Sequence, residues 1–166
     1  LDEVYKIKED ISFVTGAEKA LKLPAHITLQ APFYYNEKSE NEILEVLKRV
    51  ALMQEKFQVH LKDFDVFKPR AIFIKVENPG DVIDLYQRLQ MELETLNLSK
   101  KNHKKQIHPH MTVAFRDLSV KAFEEVWQEY KTKTFRARFL AKSLSLLKHN
   151  GKTWDIHEEF LFQKNT

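Results

Sequence analysis

Residues 110–113 read His110-Met111-Thr112-Val113, and residues 26–29 read His26-Ile27-Thr28-Leu29. Each tetrad alternates polar and apolar side chains. On an extended backbone, positions i and i+2 share a face. Histidine and threonine therefore point one way, and the apolar pair points into a core. Each tetrad reads as a short, half-buried strand.

The two tetrads sit in the same order of elements. After the first, a loop over 31–39 leads to an amphipathic helix over 40–54, with Ile43, Leu44, Leu47, Val50 and Ala51 on one side. Phe57, Val59 and Leu61 then alternate, and the parity slips before Phe64 and Val66, the mark of a bulge. Lys68-Pro69-Arg70 turns the chain into a strand over 71–76. After the second tetrad, Val120, Phe123, Val126, Trp127 and Tyr130 mark a helix. Phe135, Ala137, Phe139 and Ala141 alternate, and the parity slips before Leu144 and Leu146. Asn150-Gly151 is a hairpin turn leading to a last strand through Trp154, Ile156, Phe160 and Phe162. Two further helices are predicted. One covers 1–14, with Val4, Ile7 and Ile11 in its stripe and Thr15-Gly16 as its stop; the other covers 81–97, with Leu85, Leu89 and Leu93 buried. Strand, helix, strand with a slip, turn and strand thus occur twice. The order predicts an α+β fold of two pseudo-symmetric lobes, each an antiparallel sheet with outer helices, around a central cleft. Residues 1–166 form one bilobal domain in this reading.

Composition narrows the chemistry. There is no cysteine, so disulfides, zinc-thiolate sites and cysteine nucleophiles are excluded in this chain. With three glycines in 166 residues, no phosphate-cradling glycine loop is present. The formal net charge of +3 is a mild bias toward anionic ligands. No apolar run reaches membrane-spanning length and no signal peptide is visible. A cytoplasmic monomer without membrane attachment is the expectation.

A twofold relation between the lobes brings both polar faces to one cleft, which then holds two imidazoles and two hydroxyls. That set suits in-line displacement at phosphorus. A neutral histidine takes a proton from the attacking oxygen, and a protonated one gives a proton to the leaving oxygen. An ordinary pKa of about 6.5 lets both forms exist near neutrality. Thr28 and Thr112 supply donors for the non-bridging oxygens. No metal or other cofactor is required. His26 and His110 are the candidate catalytic pair; the plainer alternative is two strand-end histidines hydrogen-bonded within the fold.

Around this centre, His108 shares the parity of His110 and reads as a rim residue. His-x-His is also a zinc-ligand spacing, but no acidic residue lies in either tetrad to complete a metal site. Arg116 reads equally as a phosphate contact or as a solvated turn residue. Phe33, Tyr34 and Phe115 suit base stacking at the cleft mouth, against the commoner role of packing at strand ends. The basic run over 100–105 reads as a solvated connection or an RNA-contact loop. Arg136 and Arg138 line the cleft or face water. His60, His149 and His157 are taken as structural or surface residues.

The stretches Pro24-Ala25-His26-Ile27-Thr28-Leu29-Gln30-Ala31-Pro32-Phe33 and His108-Pro109-His110-Met111-Thr112-Val113-Ala114 resemble the paired signatures of the two-histidine (2H) phosphoesterase superfamily, in particular its bacterial 2′-5′ RNA ligase branch with its RNA 2′,3′-cyclic phosphodiesterases. The resemblance spans nearly the whole chain. It implies a bilobal fold with a deep cleft, catalysis by His26 and His110, phosphate binding by Thr28 and Thr112, and an RNA end or small nucleotide phosphodiester as substrate. Members usually open with a hydrophobic strand before the first helix; this chain begins at the helix, so the resemblance expects a strand ahead of residue 1. Ligation of 2′-5′ linkages and a non-catalytic RNA- or nucleotide-binding module are the alternative functions.

Overall fold

The computed structural model describes residues 2–98 and 107–163. The basic run over 100–105 lies outside them. Helix α1 (Asp2–Thr15) buries Val4, Lys8 and Ile11 and ends where Gly16, at φ +72°, returns its N–H to the carbonyl of Ser12. After a long irregular segment and a single 3₁₀ turn (Glu37–Ser39) come α2 (Glu40–Leu52), β1 (Phe57–Phe67), β2 (Ala71–Glu77) and α3 (Gly80–Glu94). Then follow β3 (His110–Ala114), α4 (Val120–Tyr130), β4 (Arg136–Ala141), β5 (Ser143–His149) and β6 (Trp154–Leu161). The Oγ of Ser119 caps α4 by accepting from the Ala122 N–H.

The architecture is α+β, with two antiparallel sheets. One has the order β3-β2-β1-β4; the other is the β5-β6 hairpin. The first sheet packs one face on α1 and α4, around Leu61, Ile72, Ile74, Met111 and Phe123. The hairpin packs on α2 and α3, around Leu47, Val50, Leu89, Leu144 and Phe160. Leu29, Phe57 and Ala141 lie against both apolar groups and join them. Each unit draws on both halves of the chain. The β1-β2 hairpin of the first half sits between two strands of the second, while α2 and α3 cover the chain's final hairpin.

The two parity slips have different outcomes. The first is a bulge between Lys62 and Phe64. Its extra residue, Asp63, adopts φ +52°, gives its N–H to the Phe135 carbonyl and accepts the Phe135 N–H on its carboxylate. A short polar side chain that bonds locally tolerates this left-handed conformation. The second slip, at Lys142, ends β4 in the four-stranded sheet and starts β5 in the other.

The first tetrad departs from its expected strand. Over 25–30 only Ile27 makes a ladder contact, an isolated antiparallel bridge to Met111. Pro24 and Pro32 bracket the segment and lack backbone donors, so a longer ladder has no purchase there.

Candidate active site

Strand β3 carries the second tetrad. On one side its register with β2 sets Met111 opposite Ile74 and His110 opposite Lys75; on the other, Met111 meets Ile27. Met111 and Val113 are buried, as the alternation predicts. Ile27, Leu29, Met111 and Val113 all pack in the core between the sheet, α1 and α4, and alternation along each extended segment turns His26, Thr28, His110 and Thr112 to the other side.

The two rings are held alike. His26 Nδ1 lies 2.7 Å from the Pro24 carbonyl oxygen, and His110 Nδ1 lies 2.7 Å from the His108 carbonyl oxygen. A carbonyl only accepts, so in both rings Nδ1 carries the proton and donates it. In the neutral ring this fixes Nε2 as a bare base; in the protonated ring Nε2–H is an acid. Among the described residues neither Nε2 has a protein partner, and neither do the hydroxyls of Thr28 and Thr112. Burial lowers the pKa of His26; its bond to the Pro24 carbonyl opposes this, and the nearby charges of Lys8 and His110 add to the lowering. Burial likewise lowers His110, opposed by the His108 carbonyl and aided by the His108 ring.

The first tetrad is positioned by point contacts. Lys8 of α1 is only 2 % exposed and donates from Nζ to the Leu23 carbonyl at 3.0 Å, directly before Pro24. Burial lowers its pKa to about 8. Gln90 of α3, fully buried, donates to the Gln30 side chain at 2.8 Å. Asp117, just after β3, accepts the N–H groups of Glu18 and Lys19 and ties the segment after α1 to the second tetrad. Neither Lys8 nor Gln90 stands out as a motif. Their signal is a polar residue within a helix's apolar stripe, which a reading for catalytic spacing passes over.

The rim differs from expectation in its aromatics. The ring of His110 packs against both Phe67 and Phe73, each with its centroid at 4.9 Å, and His108 lies edge-on to the same two rings. Phe33 faces Tyr35 and packs on the α2–α3 core, and Tyr34 projects fully into solvent. Phe115 lies under the Arg116 guanidinium, which is exposed on a residue at φ +59°. No hydrogen bond or ring contact joins Phe33, Tyr34, Phe115 or Arg116 to His26 or His110. Two surface hollows, one lined by Asn41, Glu45, Arg49 and Thr95 and one by Lys148, Asn150, Asp155 and His157, include neither histidine. Among the described residues no three His, Cys, Asp or Glu side chains are grouped to hold a metal ion, and no helix is long and apolar enough to cross a membrane.

With this geometry in place, the chain can be set beside known proteins. Residues 8–153 match the sequence profile of the 2′-5′ RNA ligase superfamily. A protein named putative phosphoesterase in Oceanobacillus iheyensis is 24% identical over 149 residues, covering 86% of this chain and 82% of the relative. One of the same name in Geobacillus kaustophilus is 28% identical over 143 residues, covering 84% and 79%. Among solved structures, E. coli LigT complexed with 3′-AMP superposes with a TM-score of 0.64 at 18% identity, over 95% of this chain and 92% of that one. A Thermus thermophilus protein superposes at 0.59, also at 18% identity, over 97% and 94%.

Proposed function

The chain belongs to the 2′-5′ RNA ligase superfamily, and from that premise we propose that it is a metal-independent phosphodiesterase that opens 2′,3′-cyclic phosphates at RNA ends or in nucleotides. The observation that carries the reading is the matched pair of imidazoles, each tethered at Nδ1 and open at Nε2, on one face with two unpartnered threonine hydroxyls. One neutral Nε2 takes a proton from water as its oxygen bonds to phosphorus. The other ring, protonated, gives its Nε2 proton to the ribose oxygen as that P–O bond breaks. The product is a phosphate monoester, and the two rings have exchanged protonation states. Thr28 and Thr112 donate to the non-bridging oxygens as charge builds there. His108 stands at the rim of this site.

Because burial disfavours both imidazolium forms, an anionic substrate next to the pair favours the one protonated ring that the reaction needs. The E. coli relative has been crystallised with 3′-AMP and with ATP, which supports a nucleotide or RNA end as the ligand class. Both histidines come from one chain, so the pair needs no second subunit; a monomer acting in the cytoplasm as a single bilobal domain is part of this proposal. With a 5′-hydroxyl in place of water as the attacking oxygen, the same proton transfers join a 2′-5′ linkage as the 3′ oxygen leaves, the activity in the superfamily's name.

The test is hydrolysis of a nucleoside 2′,3′-cyclic phosphate and of a short RNA ending in one, with excess EDTA, by wild type and His110→Ala. Turnover by wild type alone is the expected result. No turnover by wild type, or equal turnover by the variant, overturns the reading.

A further inference from the structure

The sheet face that carries His110 continues away from the histidines, and its registers spell out what it presents. His110 lies opposite Lys75, Lys75 opposite Lys62, and Lys62 opposite Arg136. Directly opposed residues point to the same side, so these four side chains form one row across β3, β2, β1 and β4. Beside that row His60 stands opposite both Glu77 and Arg138. The intervening residues Leu61, Ile74, Met111 and Ala137 point to the other side, where α1 and α4 pack. Arg136, Arg138 and His60 are exposed, and Lys75 is half-buried.

Four basic side chains on this face meet two carboxylates. Glu77 is taken up by Lys62 at 2.8 Å, and Asp65 accepts the Val66 N–H. Among the described residues Lys75, Arg136 and Arg138 have no ion-pair partner. For a chain whose formal net charge is only +3, this is a local concentration of positive charge that begins at a candidate catalytic ring. Three interstrand steps carry it about 14 Å from His110 to Arg136. At the His110 end, Phe67 lies on the same face, is 43 % exposed and has its ring edge-on to the histidine. Cations in a line with an aromatic surface at one end suit a single-stranded nucleic acid, whose phosphates follow the charges and whose terminal base stacks.

We propose that the row Lys75–Lys62–Arg136, with Arg138 beside it, is a binding track for the phosphodiester backbone of an RNA strand whose end lies at the histidines. The assignment of strand polarity rests on the function proposed above; the track itself does not. It makes an oligonucleotide, in preference to a mononucleotide, the better ligand. The arginines contribute most at the far end, since each guanidinium meets a phosphate with two parallel N–H donors.

The experiment is fluorescence anisotropy of a labelled single-stranded RNA bearing a 3′-phosphate, titrated at several salt concentrations. Wild type is compared with Arg136→Gln/Arg138→Gln and with Arg136→Lys/Arg138→Lys, each checked for folding by circular dichroism. The glutamine variant is expected to bind at least tenfold more weakly at low salt. Its plot of log affinity against log salt should flatten by about 1.4, about 0.7 for each single-strand phosphate that the protein no longer neutralises. The lysine variant should keep the wild-type slope. An unchanged affinity and slope in the glutamine variant overturns the track. So does equally tight wild-type binding of a glutamate-rich peptide of the same charge, which would make the row an unselective anionic docking face. Turnover of a nucleoside cyclic phosphate, measured separately, reports on the catalytic reading: its absence with intact RNA binding sinks the chemistry alone, and turnover without track-dependent binding sinks the track alone.

Discussion

His110 and His26 present the same ring in the same tautomer from unlike supports. His110 stands on a strand laddered to β2, with its apolar neighbours sunk in the core. His26 stands on an irregular segment fixed by one bridge, one lysine and one glutamine, each from a different element. The bond from Nδ1 to the carbonyl two residues back is identical in both. It is a local property of an extended chain and needs no sheet. What the sheet adds is placement: the ladder fixes where His110 points, whereas His26 is aimed by residues far from it in sequence. The first histidine should therefore be the one more sensitive to remote substitution.

The largest effect is expected where the two sides are equal. His26→Ala and His110→Ala should each lower kcat/KM for a nucleoside cyclic phosphate by about 10²–10⁴, the usual contribution of a positioned acid or base, with unchanged circular dichroism. A loss at only one of the two would break the symmetry of their roles. Next come the threonines. Thr112→Ala, on the laddered strand, should cost about 10² in kcat, as for other fixed donors to a developing oxyanion. Thr28→Ala, on the exposed segment, should cost less, and a larger loss there would reverse the comparison of supports.

Stability should separate the two sides in the same direction. Met111→Ala removes a side chain only 1 % exposed that meets both Ile27 and Ile74. It should cost about 2–5 kcal/mol in urea unfolding. Ile27→Ala, half-buried, should cost less stability while lowering activity through the aim of His26. The smallest effect is electrostatic. Both histidines have depressed pKa values, burial first among the causes. A mechanism needing one ring protonated and one neutral therefore peaks in kcat/KM below about pH 6.5, the ordinary histidine value. Lys8→Met should raise the pKa of His26, because it removes a nearby positive charge, and leave that of His110 in place, as NMR titration of the two rings would show. Lys8 itself is held down to about 8 from 10.5. The unfolded chain thus binds more protons between those values, and stability should rise with pH across that window in wild type and lose that rise in Lys8→Met.

Much of this was legible in the sequence because it depends on periodicity. The helices fall within a few residues of their predicted bounds, the bulge before Phe64 is where parity slips, and the core-facing members of both tetrads pack against one another. Three features escaped, the last two because they are set by contacts distant in sequence. The first tetrad alternates like a strand, but the prolines around it leave only one bridge. The slip at Lys142 looks like the slip at Asp63, yet the chain there leaves one sheet for another, and only the packing of α2 and α3 on β5-β6 decides that. Lys8 and Gln90 interrupt apolar stripes, and nothing local says that each reaches back to the loop around His26. The row from His110 to Arg136 was invisible for a related reason: its members come from four strands and acquire a common side only through their registers.

The interleaving of the chain's halves bears on how the molecule is made. The helices α2 and α3 cover a hairpin that is synthesised last, and the β1-β2 hairpin waits for partners on both flanks. The β1-β2 ladder and the α2–α3 packing can form during translation of the first half, but the contacts that complete both apolar cores join the two halves, and their large sequence separation predicts slow, cooperative folding. A chain cut between α3 and β3 should yield two fragments that are each unfolded and aggregation-prone alone, and that recover a cooperative melt only when mixed.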